Sequence, residues 1–364
     1  MLIMGNFANI LKIIGIVLGS VILLALAYAL YVFIDYHRLE DHLSVPVSSN
    51  RSGTETLPAN TGEELTIVTY NIGFGSYDPA FTFFMDGGKS SWGKSKESVI
   101  NMVNGAGNLA MSAEPDIVCF QEIDVDGTRS YHVNQLGILQ SIFADFDSAF
   151  GQNYDSPFLL YPFYQPHGAN KAGIGTFSRF GITASERRSL PISTSLSKLV
   201  DLDRCYTISR IPVSNGKELI VINLHMSAYG SSPEVRDGQT NMLKADMEKE
   251  YAAGNYVIAC GDFNHDLKLK EDIETYSWAH YYDRTKIPEH FGFVIDTLSD
   301  EEKSAMPNTC RDSGVVYDPA STYTVTLDGF IVSDNIKPVS YETKTSGFLY
   351  SDHEPVVMSF ILED

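Results

Sequence analysis

The stretch YVIACGDFN, residues 256–264, joins an apolar run to a polar turn. The run has the length and the β-branched residues of a buried strand, in which Cys260 behaves as a small hydrophobic residue. Asp262 and Asn264 follow at its end, where rigid scaffolds hold catalytic groups. Because the same letters would also form an ordinary turn, the role of GDFN depends on the rest of the chain.

Short apolar runs alternate with helical patterns from residue 64 onward, and no repeat or second linker interrupts them. Strands are predicted at 65–72, 116–123, 173–178, 205–213, 218–226, 256–263, 323–332 and 355–362, and helices at 94–112, 131–143 and 233–252. Several strands follow one another without a helix between them. This pattern favours an α/β fold in which two packed mixed β-sheets have helices outside.

Polar residues stand where the predicted strands begin or end. They are Asn71, Glu122, His225, Asp262 and Asn264 at strand ends, Asp328 within TVTLDGFIV, and Asp352 with His353 before the last strand. Mg²⁺ prefers oxygen ligands, usually one or two carboxylates with water and substrate phosphate. Histidines oriented by carboxylates can transfer protons or hold a phosphoryl oxygen. The set therefore suits hydrolysis of a phosphoester.

In this order the motifs resemble the endonuclease/exonuclease/phosphatase superfamily. They are TYNI, FQEI, NLHMSA, GDFN, LDGFIVS and SDHEPV, spread over residues 64–364. GDFN followed by a terminal SDHxP is specific as a combination, although either motif alone is weak. The resemblance implies a four-layer α/β sandwich of two mixed β-sheets flanked by helices, with the site where strand-end loops converge.

The resemblance also implies a role for each motif residue. Glu122 is the main metal ligand, with Asn71 and Asp352 assisting; Asp262 orients or deprotonates water, Asn264 holds a phosphate oxygen, His353 with Asp328 stabilises pentavalent phosphorus, and His225 faces the leaving group. The implied cofactor is Mg²⁺ or Mn²⁺, with one or two ions left open. A binding-only descendant of the fold would have lost catalytic groups, whereas every motif residue is present here.

The amino-terminal segment is typical of a membrane anchor. Residues 13–34 carry no charge, and a helix of that length spans roughly 30 Å of hydrocarbon. A cleaved signal peptide is the alternative, since ALA at 25–27 resembles a cleavage site, but the apolar run continues past it. The predicted organisation is a short cytoplasmic stretch at 1–12, a transmembrane helix at 13–34, a flexible extracytoplasmic linker at 35–63 and the catalytic domain at 64–364.

The charges of the chain indicate the class of substrate and the side of the membrane on which the catalytic domain lies. Lys12 and the amino terminus precede the span, and acidic residues follow it along with Arg38, a positive-inside signal that places the large domain outside the cytoplasm. With 26 Lys and Arg against 46 Asp and Glu, the net charge is -20, a field that repels nucleic acid. A small or lipid phosphodiester is therefore the favoured substrate, and an extracellular endonuclease of the deoxyribonuclease type is the alternative. The oligomeric state stays open.

The stretch GKSSWGKS, residues 88–95, matches the pattern of a nucleotide-binding loop. Such a loop joins a strand directly to a helix, but here the preceding strand is predicted to end near Ile72, so the context disfavours an NTPase. Lys89 and Lys94 are instead expected on the rim of the site, facing an anionic substrate. By the same resemblance, Asn170 in NKAGIGTFSRF is expected to touch phosphate. A disulfide between Cys205 and Cys310 is left open.

Overall fold

The computed structural model describes residues 2–49, 57–199, 202–227, 232–269 and 279–364. Its helices are α1 (Leu2–Asp35), α2 (Lys96–Met111), α3 (Gln135–Ile142), α4 (Pro233–Ala252) and α5 (Asp300–Ala305). Its strands are β1 (Leu43–Ser44), β2 (Val47–Ser49), β3 (Glu64–Asn71), β4 (Ile117–Gly127), β5 (Asp147–Asp155), β6 (Asn170–Ser178), β7 (Ala184–Ser189), β8 (Cys205–Pro212), β9 (Glu218–His225), β10 (Tyr256–Asp262), β11 (Phe291–Phe293), β12 (Cys310–Arg311), β13 (Thr324–Val325), β14 (Asp328–Ser333), β15 (Ile336–Thr343) and β16 (Val356–Leu362).

Two seven-stranded sheets form the centre of the fold. One has the order β1-β7-β8-β9-β10-β14-β11 and the other β15-β16-β3-β4-β6-β5-β2, while β12 and β13 form a separate pair. Both sheets are mixed, because β9 and β10 are parallel in the first and β3 and β4 are parallel in the second, with antiparallel neighbours around them. Apolar side chains from both sheets, such as Ile67 and Ile258, fill the space between them.

The helices cover the outer faces of the sheets. Val99 and Val103 of α2 pack against β3, and Leu243 and Met247 of α4 pack against β9. Ser95 begins α2 by accepting a hydrogen bond from the Ser98 amide, a standard helix cap. The layers therefore run helix, sheet, sheet, helix, which confirms the predicted four-layer α/β sandwich.

Where the structure describes it, at 35–49 and 57–63, the segment after α1 differs from the flexible linker predicted at 35–63; residues 50–56 of that prediction lie outside the described residues. Strand β1 pairs with β7, and β2 pairs with β5. Between α1 and β1, Arg38 pairs with Asp203 and Asp41 with Arg188. The composition of the segment suggested a free tether. Composition does not reveal the edge-strand pairing, because that pairing needs only backbone groups, and it does not reveal the ion pairs, because their partners are distant in sequence. The folded part of the chain thus begins before residue 64.

The first helix exposes most of its large apolar side chains between Ile10 and Ile34. Its stretch Asn9–Asp35 is long and apolar enough to cross a membrane. The four cysteines are free and buried, so Cys205 and Cys310 do not form the disulfide that the sequence left open.

Candidate active site

The strand register brings the motif residues to one place. His225 and Asp262 end the parallel strands β9 and β10 and are direct register partners. Asp328 begins β14, which runs antiparallel to β10, and is the partner of Asp262 on its other side. Because an antiparallel neighbour starts where its partner ends, all three side chains meet at one sheet edge. From the other sheet, Asn71 at the end of β3 reaches the same point.

Asp262 lies at the centre of the site. Its Oδ2 accepts a hydrogen bond from Asn71 Nδ2 at 3.1 Å, and its Oδ1 accepts one from the backbone amide of Asn264 at 2.8 Å. The Nε2 atoms of His225 and His353 lie 3.5 Å and 3.7 Å from Oδ2. Burial raises the pKa of Asp262 to about 7, against the lowering effect of the charge on His353. The carboxylate is thus held between two imidazoles and ready to accept a proton.

His353 is paired with a second buried carboxylate. Its Nδ1 lies 2.7 Å from Asp328 Oδ2, which leaves Nε2 directed toward Asp262. Burial opposes the charged imidazolium, but Asp328, Cys310 and Asp262 together raise the pKa of His353 well above its usual range. His353 therefore carries a positive charge at neutral pH.

His225 has the opposite electrostatic character. Burial lowers its pKa well below the usual range, and the charges of Arg204 and His353 add to the effect. Its Nε2 also lies 3.9 Å from Glu122 Oε1, and its Nδ1 has no hydrogen-bond partner among the residues that the structure describes. The two histidines of the site thus differ in charge, one neutral and one cationic.

Two site residues have strained backbone. Glu122 and Asn264 have positive φ angles of 56° and 51°, a region that side chains other than glycine rarely adopt. Asn264 is fixed by its Nδ2, which donates to the Met226 carbonyl at 2.9 Å. Such strain is concentrated at functional sites, and both residues line the cavity.

Glu122, Asn71 and Asp352 fit a divalent cation. Glu122 and Asp352 both line the cavity, and Glu122 Oε1 lies 3.2 Å from Asn71 Nδ2. Burial raises the pKa of Asp352 to about 6; the His353 charge opposes the rise, and the Glu122 charge adds to it. Two carboxylates that repel each other across a cavity provide the hard oxygen donors that Mg²⁺ and Mn²⁺ prefer.

Asp262, Asp328 and His353 also place donor atoms within 4.8 Å of one another. In this second group, however, the His353 imidazole already pairs with Asp328. The Glu122 carboxylate, by contrast, has no partner imidazole at hydrogen-bond distance among the described residues, since His225 Nε2 lies 3.9 Å from it.

The site forms the floor of a cavity of about 400 Å³ that contains three arginines. Arg129 is bound by Asp124 and lies 3.9 Å over the Phe74 ring. Arg311 donates to the carbonyl of Asp78. Within the described part of the chain, one buried nitrogen of Arg311, Nε, has no hydrogen-bond partner, whereas two nitrogens of Arg204, Nε and Nη1, have none. Arg204 thus offers unpaired donors to an anionic ligand.

None of these arginines belongs to a sequence motif that predicts the site. Arg204 precedes β8, which runs antiparallel to β9 and pairs Tyr206 with Leu224. The residue before β8 therefore lies beside the end of β9, where His225 stands. One feature could have located Arg204 from sequence, because the antiparallel neighbour of a catalytic strand begins at the sheet edge where that strand ends. Using this feature requires knowledge of the strand order.

The three substrate-binding residues expected from sequence do not line the cavity. Asn170 is buried, and its side chain accepts from the Arg129 amide at 3.1 Å and donates to the His167 carbonyl at 3.1 Å. It therefore holds two segments of the cavity wall in place. Lys89 and Lys94 are exposed, and direct contact with phosphate stays a prediction for all three.

GKSSWGKS does not have the geometry of a nucleotide-binding loop. Strand β3 ends at Asn71, far before α2 begins at Lys96, and Ser95 caps that helix itself. The structure thus agrees with the preference against an NTPase.

A four-layer sandwich whose sheets bring carboxylates, amides and histidines together at one edge defines a phosphoester hydrolase. The chain belongs to the Endonuclease/Exonuclease/phosphatase family, whose profile matches residues 68–353. Members of this family hydrolyse phosphoesters and generally depend on a divalent metal. The resemblance found in the motifs is therefore confirmed.

Solved structures share the fold at low sequence identity. An endonuclease/exonuclease/phosphatase from Beutenbergia cavernae has a TM-score of 0.56 at 16% identity, covering 82% of this chain and 72% of that chain. An endonuclease/exonuclease/phosphatase from Bacteroides vulgatus has a TM-score of 0.52 at 17% identity, covering 83% of this chain and 100% of that chain. The human Nocturnin catalytic domain with bound sulfate has a TM-score of 0.51 at 16% identity, covering 87% of this chain and 97% of that chain. Among curated proteins, the comparison finds no match.

Proposed function

We propose that this protein is a membrane-tethered, divalent-metal-dependent phosphodiesterase that acts outside the cytoplasm. The observation that carries the proposal is the placement of Asp262 between His225 and His353, on the floor of a cavity that also contains Glu122 and Arg204. A base, a neutral and a cationic imidazole, hard oxygen donors and an unpaired guanidinium are the groups that hydrolysis at phosphorus requires.

Each residue has a distinct part in the proposed reaction. Asp262 orients water and takes its proton, and the Asn264 amide holds Asp262 Oδ1 in place. Charged His353, held by Asp328, stabilises the negative charge that develops on the phosphoryl oxygens. Neutral His225 faces the leaving group.

Glu122, Asn71 and Asp352 would hold the metal. A bound divalent cation supplies Lewis-acid stabilisation of phosphoryl charge. Arg204 contributes two donors to a phosphate oxygen, a charge-assisted interaction stronger than a neutral hydrogen bond.

A diester is favoured over a monoester by the walls of the cavity. Phe74, Tyr77, Phe83 and Tyr154 line it beside the charged floor. These rings can bury an organic group on the second ester oxygen, which a free monoester lacks. The net charge of -20 disfavours nucleic acid, so we favour a small or lipid phosphodiester.

The proposed location follows from α1. The stretch Asn9–Asp35 has the length and composition of one membrane span. Lys12 precedes its uncharged part, residues 13–34, and Asp35, Arg38 and Asp41 follow that part. Positive charge on the short side favours a cytoplasmic amino terminus and an external catalytic domain. The helix is proposed to be retained, because its apolar run continues past the ALA at 25–27 that resembles a cleavage site.

The test uses the full chain in detergent micelles with Mg²⁺ or Mn²⁺. The substrates are a chromogenic phosphodiester, the matching phosphomonoester, plasmid DNA and choline phospholipids. We expect metal-dependent cleavage, with the diester preferred over the monoester and lipid over DNA. Faster cleavage of DNA than of every other substrate would replace the proposal with an external nuclease.

A further inference from the structure

Residues 157–164, PFLLYPFY, form an exposed apolar segment between β5 and β6 that we call the aromatic loop. No charged residue occurs from 156 to 166. Its exposed large side chains are Phe158, Leu160, Tyr161, Phe163 and Tyr164, and Phe163 is 82% exposed. A contiguous apolar surface of this kind marks an interaction site.

The aromatic loop is hydrogen-bonded to the end of α1. Tyr28 Oη donates to the Phe158 carbonyl at 3.1 Å and accepts from the Leu160 amide at 2.9 Å, while Tyr31 Oη accepts from the Phe158 amide at 2.9 Å. Both tyrosines precede Asp35, the first charged residue after the span, by one to two turns. At 1.5 Å per residue, the contact lies roughly 6 to 10 Å inward from Asp35 along the helix axis.

This position matches the interfacial layer of a bilayer. Tyrosines are enriched at that level, and apolar groups of interfacial segments are buried about 5 to 10 Å deep. Non-helical backbone near hydrocarbon must have its polar groups satisfied. The hydroxyls of Tyr28 and Tyr31 satisfy three such groups of the loop.

The attachment of α1 to the domain fixes this arrangement. Arg38 pairs with Asp203, Asp41 pairs with Arg188, and β1 continues the sheet beside β7. The helix and the loop are therefore held on one side of the folded domain, and the loop is presented wherever the helix enters the membrane.

The aromatic loop also borders the cavity. The Phe84 ring lies 5.8 Å from the Tyr161 ring and 5.6 Å from His167, measured between ring centroids. His167 and the neighbouring Met85 line the cavity, and Met85 is exposed. The apolar surface thus continues from the loop to the mouth of the cavity.

We propose that the aromatic loop is immersed in the interfacial layer of the leaflet from which α1 emerges, so that the cavity opens onto lipid headgroups. The substrate class is then the headgroup phosphodiester of a membrane lipid. This assignment of the substrate class rests on the proposed phosphodiesterase function, whereas the position of the loop does not.

Site-specific spin labelling of the full chain in phosphatidylcholine vesicles tests the position of the loop. Because the four native cysteines are buried, a thiol reagent marks an introduced cysteine in the folded protein. The variants are Phe163→Cys and, as control, Val339→Cys. Val339 is 48% exposed on β15, at the sheet edge opposite β2 and β5.

We expect the label at 163 to collide more with oxygen, which concentrates in lipid, than with a water-soluble nickel chelate. The label at 339 should show the reverse. Equal exposure of both labels to the nickel chelate would overturn the proposal. So would a label at 163 that is shielded from both quenchers, because that result indicates a protein partner.

Hydrolysis of lipid in the same vesicles tests the substrate step. Phe163→Ser is expected to cleave vesicle lipid about tenfold more slowly, since the ring contributes apolar burial in the membrane, while Val339→Ser keeps the native rate. Equal rates for all three proteins would overturn the lipid assignment. If the native chain cleaves no phosphodiester at all, the proposed function fails, and the spin-label result still decides the position of the loop.

Discussion

Replacing Asp262 with Asn tests the proposed chemistry most sharply, because the change preserves shape and removes the base. The asparagine Oδ1 can still accept from the Asn264 amide, as the carboxylate does at 2.8 Å. Its Nδ2 replaces the oxygen that accepts from Asn71 at 3.1 Å, so one hydrogen bond is lost. That loss costs about 1 kcal/mol and is offset by removing a charge that burial disfavours. The fold should therefore survive with Tm shifted by a few degrees at most.

The rate should respond far more strongly than the stability. A positioned general base contributes about 100- to 10,000-fold, or about 3 to 5 kcal/mol of activation free energy. The assay measures kcat on a chromogenic phosphodiester at saturating Mg²⁺, with thermal unfolding of the same samples. A rate within about threefold of native, below the smallest contribution expected of a base, would remove Asp262 from the reaction and refute this reasoning.

Asp266→Asn is the matched control for that experiment. Asp266 is also buried and lies four residues further along the same turn, where its Oδ1 accepts from the Lys268 amide at 2.9 Å. It does not line the cavity. Its asparagine variant can keep this hydrogen bond and should keep the native rate, so a loss in both variants would point to damage of the turn instead of loss of the base.

Three further predictions concern residues around the centre. Glu122→Gln should raise the Mg²⁺ concentration for half-maximal activity at least about tenfold, measured by metal titration, because a ligand charge is lost. Arg204→Met should lower kcat/KM about 10- to 100-fold, with partial rescue by Arg204→Lys, because a charge-assisted hydrogen bond disappears. The control is Arg179→Met, which should cause no loss because Arg179 is exposed and does not line the cavity. Burial lowers the pKa of His167 from 6.5 to about 3, so its contribution to stability is present above 6.5 and is lost as pH falls toward 3, by about 1.4 kcal/mol per pH unit. Thermal unfolding across that interval should show a shallower pH dependence for His167→Gln than for the native chain, and equal slopes would contradict the assignment.

The strands that were predicted correctly from sequence include those whose apolar runs end in a motif residue. The runs at 65–72, 218–226 and 256–263 are central strands that are buried except at the half-buried Thr66 and Glu218, and their continuous apolar character is visible without a partner. Their last residues carry the site, so predicting the strand ends also predicted the convergence of Asn71 and Asp262.

The edge strands β1, β2, β11 and β15, and the neighbouring strands β5 and β7, were not predicted. DSAFGQNYD, which forms β5, contains polar residues that are buried only because β2 and β6 flank it. The run predicted at 323–332 is divided into β13 and β14, which pair with different strands. Such pairings are long-range, and local composition does not encode them.

The cavity walls show the same limit. Arg204 sits beside His225 through strand order, and Asn170 turns away from the cavity because Arg129 and His167 offer it backbone partners. Motif matching finds residues whose identity the chemistry requires. It does not find residues whose role arises from the meeting of distant segments.

Phosphorus NMR of lipid vesicles that contain the full chain tests the central claim most directly. With Mg²⁺ present, a lipid phosphodiester signal should decline while a phosphomonoester signal grows, and neither change should occur with a chelator or with Asp262→Asn. An unchanged spectrum from the folded, metal-loaded native chain would contradict the account, as would conversion at the native rate by Asp262→Asn.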